Sequence, residues 1–184
     1  MTNVSSRSRN YKYHIWRSRS KCLTCGLCCK QTEMILLPSD IKRIKRHGYK
    51  ISFFAKKKGK VMVLRNKDGY CVFYDKASGR CKIYEIRPLG CALYPIVLDL
   101  EREIITVDTL CPLYYDTEIE ELLNAKKYIM QVIDELGMDI NKEVDVVKRT
   151  LKIIKEMGVI SKQLIARKLG LPEPIVDKIL SYLK

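Results

Sequence analysis

A chain of 184 residues has room for one or two domains and not for three. With 47% apolar and 30% charged residues it has the composition of a folded globular protein, too apolar for a disordered one, and no run approaches the roughly 18–20 apolar residues that span a bilayer. Two features are unusual: eight cysteines and a formal charge of +14. That charge is segregated, with +14 on residues 1–60, −5 on 61–139 and +5 on 140–184. Such ends are either a solvated basic surface or an attraction to a polyanion, nucleic acid or an acidic protein partner.

Residues 1–20 mix Ser, Arg, Asn and Tyr without periodicity and lack the apolar stretch that directs secretion. They read as a flexible basic tail, which Tyr11, Tyr13 and Trp16 would dock, on a soluble cytoplasmic protein with no membrane association. Residues 39–46 predict a short helix capped by Ser39, with Ile41 and Ile44 on one face and Gly48 as its stop. Residues 61–64 and 70–74 flank Asn66-Lys67-Asp68-Gly69, a hairpin signal, and residues 96–100 and 103–107 flank Glu101-Arg102 as a second. The pattern then turns helical. Thr117 with Glu120 suggests a capping box, Ile119, Leu122, Leu123, Ile129, Ile133 and Leu136 keep helical spacing, and Gly137 closes the helix. A linker near residues 138–141 leads to a last helical segment.

The cysteines fall in two groups. Cys22-x-x-Cys25-Gly26-x-Cys28-Cys29 contains the C-x2-C-x2-C run of bacterial ferredoxins, in which thiolates hold the corners of an iron–sulfur cluster. Gly26 permits the tight turn that such spacing requires. Cys29 adjoins Cys28, and because neighbouring side chains usually diverge it is expected to serve a second site or none. Cys71, Cys81, Cys91 and Cys111 each begin one short phrase: cysteine, any residue, a large apolar residue, tyrosine. In an extended segment Phe73, Ile83, Leu93 and Leu113 would face one side and form a dry shell about the sulfurs. Tyr74, Tyr84, Tyr94 and Tyr114 either hydrogen-bond backbone and sulfur or merely pack. Cys111-Pro112 echoes the fourth ferredoxin ligand. Structural zinc usually shows two separated CxxC knuckles, and no second knuckle exists here, so iron–sulfur, of the four-iron type, is preferred over zinc. His14 and His47 lie outside these phrases.

Cys22-x-x-Cys25-Gly26-x-Cys28-Cys29, Leu37-Pro38-Ser39-Asp40, Gly69-Tyr70-Cys71-x-Phe73 and Gly79-Arg80-Cys81-x-Ile83-Tyr84-Glu85-x-Arg87-Pro88-x-x-Cys91-x-x-Tyr94-Pro95 together resemble the CxxCxxCC cysteine-cluster family, a zinc- or iron-chelating domain. The resemblance covers about residues 20–115. It implies metal binding by the cysteines and marks Asp40, Glu85 and Arg87 as polar motif residues, with Arg87 either donating to cluster sulfurs or pairing with Asp40 or Glu85. A related cluster in flagellin lysine-N-methylases implies methyl transfer only distantly. Walker, HExxH, GxSxG and GxGxxG signatures are missing.

Residues 142–184 resemble a helix-turn-helix module. A first helix over 142–157 would turn Val144, Val147, Leu151, Ile154 and Met157 inward and stop at Gly158; Ser161 would cap the second, and Gly170 would lead into a third over 172–182 with Val176, Ile179, Leu180 and Leu183 inward. Glu173, Pro174, Asp177 and Lys178 would then head a recognition helix, and two acids and a proline face phosphates poorly.

The sequence therefore predicts an α+β protein: a tail over 1–20, a metal-binding domain with short hairpins over 21–138, and a helical domain over 142–184. Its function is expected to be metal binding through Cys22, Cys25, Cys28, Cys29, Cys71, Cys81, Cys91 and Cys111. A metal- or redox-responsive DNA-binding regulator and a lysine-methyltransferase-like enzyme are the alternatives.

Overall fold

The computed structural model describes residues 22–140, 144–157 and 161–184. The expected basic tail, with Tyr11, Tyr13, His14 and Trp16, lies outside the described residues, as do Asn141, Lys142 and the expected stop at Gly158.

The chain opens with a single helical turn, α1 (Cys22–Cys25), then Gly26 in the left-handed region and a 3₁₀ turn, Leu27–Cys29. Strand β1 (Ile35–Leu36) precedes helix α2 (Pro38–Arg46). Ser39 is not the cap of α2. Pro38 presets the helical φ, so the helix starts one residue earlier than the sequence suggested. Asp40 then sits where its carboxylate accepts the Leu37 N–H at 3.1 Å, while Ser39 donates from N and Oγ to Glu135 at 3.0 and 2.8 Å. Helix α3 (Ile51–Phe54) runs into β2 (Ala55–Lys58), and β3 (Val61–Leu64) returns beside it, giving an antiparallel sheet of order β1-β3-β2.

The first expected hairpin is therefore re-paired. Residues 61–64 bond to 55–58, and only β4 (Asn66–Lys67) and β5 (Tyr70–Cys71) pair across Asp68-Gly69. Both turn residues have positive φ, 50° and 79°, which fixes a tight two-residue turn and its register. A further small pair, β6 (Tyr74–Asp75) and β7 (Arg80–Cys81), leads to helix α4 (Leu89–Leu93). The second expected hairpin forms as read, from β8 (Ile96–Asp99) and β9 (Ile104–Val107).

Helix α5 (Ile119–Leu136) ends at left-handed Gly137, as its sequence implied, but its start is shifted by one residue. Glu118 is the cap and its N–H bonds the Glu121 carboxylate at 3.0 Å. Thr117, expected as the cap, is fully buried, and its carbonyl accepts from Lys178. The chain ends in α6 (Val146–Met157), α7 (Lys162–Leu169) and α8 (Glu173–Tyr182). Ser161 caps α7, accepting the Leu164 N–H at 3.3 Å, and Gly170 closes it.

Helices and short antiparallel strand pairs thus make the molecule α+β, with a helical C-terminal segment. Two apolar cores organise it. One gathers Leu89, Leu93, Ile96, Ile104, Ile105 and Val107 with residues of α5 to α8, among them Leu122, Ile129, Val147, Ile165 and Ile179. The other gathers Leu36, Ile44, Phe54, Leu64, Phe73 and Ile83. Each such side chain contributes roughly 1.5–3 kcal/mol by leaving water. Helix α4 joins the two, because Leu89 and Leu93 belong to the first while Cys91 packs against the second. No helix among the described residues is long and apolar enough to cross a membrane.

Candidate metal centre

Six cysteines, Cys22, Cys28, Cys29, Cys71, Cys81 and Cys91, line one cavity of about 60 Å³ beside the second core. They arrive from four directions: the α1 turn, the β5 end, the β7 end and helix α4. Cys25 is exposed, and Cys111 stands close to Cys22 without lining the cavity. Among the described residues, no three Cys, His, Asp or Glu side chains are drawn together tightly enough to clasp a single ion. The sulfurs encircle a space instead.

The local chain explains this arrangement. Gly26, at φ 66°, turns the backbone between α1 and the 3₁₀ turn, and the Tyr74 ring occupies the position its Cβ would take. Cys28 and Cys29 do not diverge as neighbours usually do. The Cys29 thiol donates to the Cys28 sulfur, which lowers Cys28 to about 7, whereas the same bond and burial push Cys29 up. The tight 3₁₀ turn lets both side chains reach the same cavity.

The repeated cysteine phrase is not an extended segment: it is a turn after Cys71, Cys81 and Cys111 and the end of helix α4 after Cys91. After Cys71 the N–H groups of Phe73 and Tyr74 donate to its sulfur, and after Cys81 that of Ile83 does the same. Turning an amide back onto the sulfur two residues earlier sends the apolar side chain into the core. Phe73, Ile83, Leu93 and Leu113 are all buried, at 1%, 3%, 1% and 8% exposure, but only Phe73 and Ile83 line the cavity. The tyrosines act singly: Tyr84 stacks beneath Arg87, Tyr74 fills against Gly26, and Tyr94 bonds Asp108.

Burial dominates the electrostatics. It pushes the Cys71 thiol up to about 11 and raises Cys22, Cys81 and Cys91. Arg87 opposes it at Cys22, Cys28 and Cys81, where its positive charge favours thiolate. Its guanidinium carbon lies 3.8 Å from the Tyr84 ring centroid and Nη1 donates to the Tyr84 carbonyl at 2.6 Å. Arg87 thus faces the sulfurs and does not pair with Asp40. The partner of Asp40 is Arg43, one helical turn on, a residue the sequence reading passed over although the i,i+3 spacing offered the signal. Asp40 is fully buried and also accepts the Leu89 N–H at 3.0 Å, while Arg43 reaches the Ile86 and Arg87 carbonyls at 3.3 and 2.9 Å. This linkage ties α2 to the start of helix α4, which carries Cys91. Glu85 is exposed.

In the C-terminal helices the polar groups at the head of α8 are engaged internally. Lys162 bonds Asp177 at 3.0 Å and lies 3.5 Å from Glu173, and Lys178 donates to the Tyr115 and Thr117 carbonyls, both at 2.9 Å.

The donor set fits a thiophilic metal: thiols that range from buried Cys71 through half-buried Cys22, Cys29, Cys81 and Cys91 to exposed Cys28, amides aimed at Cys71 and Cys81, and one cation beside three. No solved structure matches the chain. An uncharacterised protein of Methanocaldococcus jannaschii is 31% identical over 97 residues, which cover 47% of this chain and 50% of that protein. The chain therefore spans about half the length of the curated relative it matches. A family model described as "Putative zinc- or iron-chelating domain" matches residues 21–112, half of the chain, and takes in all eight cysteines. By that match the chain belongs to the CxxCxxCC family and is a metal-binding protein.

Proposed function

We propose that the chain holds a cysteine-ligated iron–sulfur cluster, of the four-iron type that the C-x2-C-x2-C run suggests. Cys22, Cys28, Cys29, Cys71, Cys81 and Cys91 supply the thiolates around the cavity, with Cys25 and Cys111 in reserve beside Cys22. The observation that carries this reading is the encirclement. Six sulfurs surround about 60 Å³, several times the roughly 10–15 Å³ that one water-sized occupant needs. Structural zinc draws four ligands onto a single centre about 2.3 Å away, which calls for a tighter tetrad. Burial that raises the thiols also makes bare thiolates costly, and a cationic cluster offsets that cost when it binds. Eight free thiols suit a reducing compartment, so we read the protein as cytoplasmic.

Purification without oxygen, followed by visible spectroscopy and analysis for iron, sulfide and zinc, tests the proposal. A brown protein with equal iron and acid-labile sulfide supports it. A colourless protein with stoichiometric zinc overturns it and makes the cysteines a zinc-dependent staple of the fold.

A further inference from the structure

The basic excess of the first sixty residues takes a definite form on the folded body. From residue 41 to residue 67 the chain contains no aspartate or glutamate. Lys42, Lys45 and Arg46 stand exposed on α2, and Lys50 caps the start of α3. Lys56, Lys57 and Lys58 follow on β2, an edge strand of its sheet, with Lys60 in the turn beyond. All are exposed, and among the described residues only Lys58 has an acidic partner, Glu33. Helix α3 continues directly into β2, so these cations follow one another along one continuous stretch of chain.

At the middle of that stretch lies an aromatic ring which packing alone does not explain. Phe53 is 48% exposed although it is held on two sides. Tyr49 stacks on it with ring centroids 6.1 Å apart and planes at 17°, and Phe73 meets it edge-on at 5.7 Å. The ring is pinned, flat and open to solvent between two groups of lysines.

We infer that the α2–α3–β2 surface binds single-stranded nucleic acid, with the lysines along the phosphates and Phe53 as a stacking platform for a base. A duplex keeps its base faces covered, whereas a single strand offers both elements this surface complements: regular negative charge and accessible π-faces. The sequence pointed to nucleic acid through its basic ends and through the C-terminal helices, and at the latter the charges at the head of α8 are engaged internally. On α2, α3 and β2 the exposed cations named above, apart from Lys58, have no acidic partner among the described residues. The inference stands independently of which metal the cysteines hold.

The test is fluorescence anisotropy of a labelled 20-nucleotide oligouridylate with the full metal-loaded chain across a potassium chloride series. Oligothymidylate, a duplex of equal length and phosphatidylserine vesicles serve as comparators. If about five phosphates are neutralised, log affinity falls against log salt with a slope of about −3.5. Lys56→Gln/Lys57→Gln/Lys58→Gln should make that slope shallower by about 2. Phe53→Leu, which keeps an apolar side chain against Phe73, should weaken binding about tenfold without changing the slope, and Phe53→Tyr should retain it. Unchanged metal content verifies that each variant is folded. Binding of either oligonucleotide with this variant pattern supports the inference. Binding that Phe53→Leu leaves unchanged overturns it, since charge elsewhere would then suffice. So does duplex bound as tightly as single strand, or vesicles bound in place of nucleic acid.

Discussion

Replacing Asp40 offers the most direct way to ask whether helix α4, which carries Cys91, is positioned from helix α2. Asp40 is fully buried and satisfies three groups: the Leu37 N–H, the Leu89 N–H and the Arg43 guanidinium. Asp40→Ala strands two buried amides, at about 1–3 kcal/mol each, and takes the carboxylate away from Arg43, which keeps the Ile86 and Arg87 carbonyls. Removing one member of a buried pair typically costs about 3–5 kcal/mol. For a chain of this length that lowers the melting temperature by about 10 °C. Because Leu89 opens the helix that bears Cys91, metal retention should fall as well. Asp40→Asn keeps an acceptor of the same shape and should fall between. Its pH dependence gives a second handle. Burial outweighs Arg43 and raises this carboxyl above its ordinary 3.8. The proton-linked part of the contribution of Asp40 is therefore fully present below that value and is lost as pH rises through the folded value. The neutral Asn variant should lack this step. Thermal melts of the metal-loaded protein followed by circular dichroism, repeated across pH 4 to 7 (about the carboxylate range), provide the measurement. An Asp40→Ala variant within about 1 kcal/mol of wild type, with unchanged metal content, would refute the reasoning.

Three further outcomes are expected. Gly26→Ala places a methyl group in the Tyr74 ring at a positive φ, which costs about 1–2 kcal/mol in backbone strain alone; metal content per chain should drop, and full occupancy would count against the role given to this turn. Glu135, lowered below its ordinary 4.5 by its bonds from Ser39 and Gln131, contributes stability that is present above that value and lost as pH falls through the folded one. Glu135→Gln should flatten that acid-side decline, by about 0.5–1 kcal/mol in urea unfolding. Lys178→Met removes the donations to Tyr115 and Thr117 and should cost about 1–2 kcal/mol, with faster amide exchange concentrated in α8 and the start of α5; uniform exchange would show that the contact is dispensable.

The elements most legible in the sequence were those with local punctuation. Gly137, Gly170 and Ser161 end or begin helices where they were expected to, and the 96–107 hairpin announced itself by two apolar runs about a charged turn. What the sequence obscured was competition between local signals. Ser39 and Thr117 both resemble caps, but Pro38 in one case and the Glu118–Glu121 pair in the other set the helix start one residue away. The first hairpin failed similarly: Gly59 supplied a second turn, and residues 61–64 took the longer partner strand. The cysteine inventory was readable, yet its partition was not. That Cys28 and Cys29 share a cavity depends on the pitch of one 3₁₀ turn, and that Cys25 points away from it depends on α1. The Asp40–Arg43 linkage escaped because its meaning lies in Leu89, far along the chain.

The stretch that defines the family ends at residue 112, within a core that only later residues complete. Leu89, Leu93, Ile96, Ile104, Ile105 and Val107 are shielded here by α5 and the three helices after it, all supplied from beyond the matched stretch. The metal-binding portion is thus a socket without a roof of its own. Any chain that shares the socket must furnish a greasy lid from its remaining sequence, and different lids could be fitted over the same hairpin without disturbing a single sulfur. Diversity in such a family would then accumulate in the roof, while the thiol-ringed chamber beneath stayed much the same.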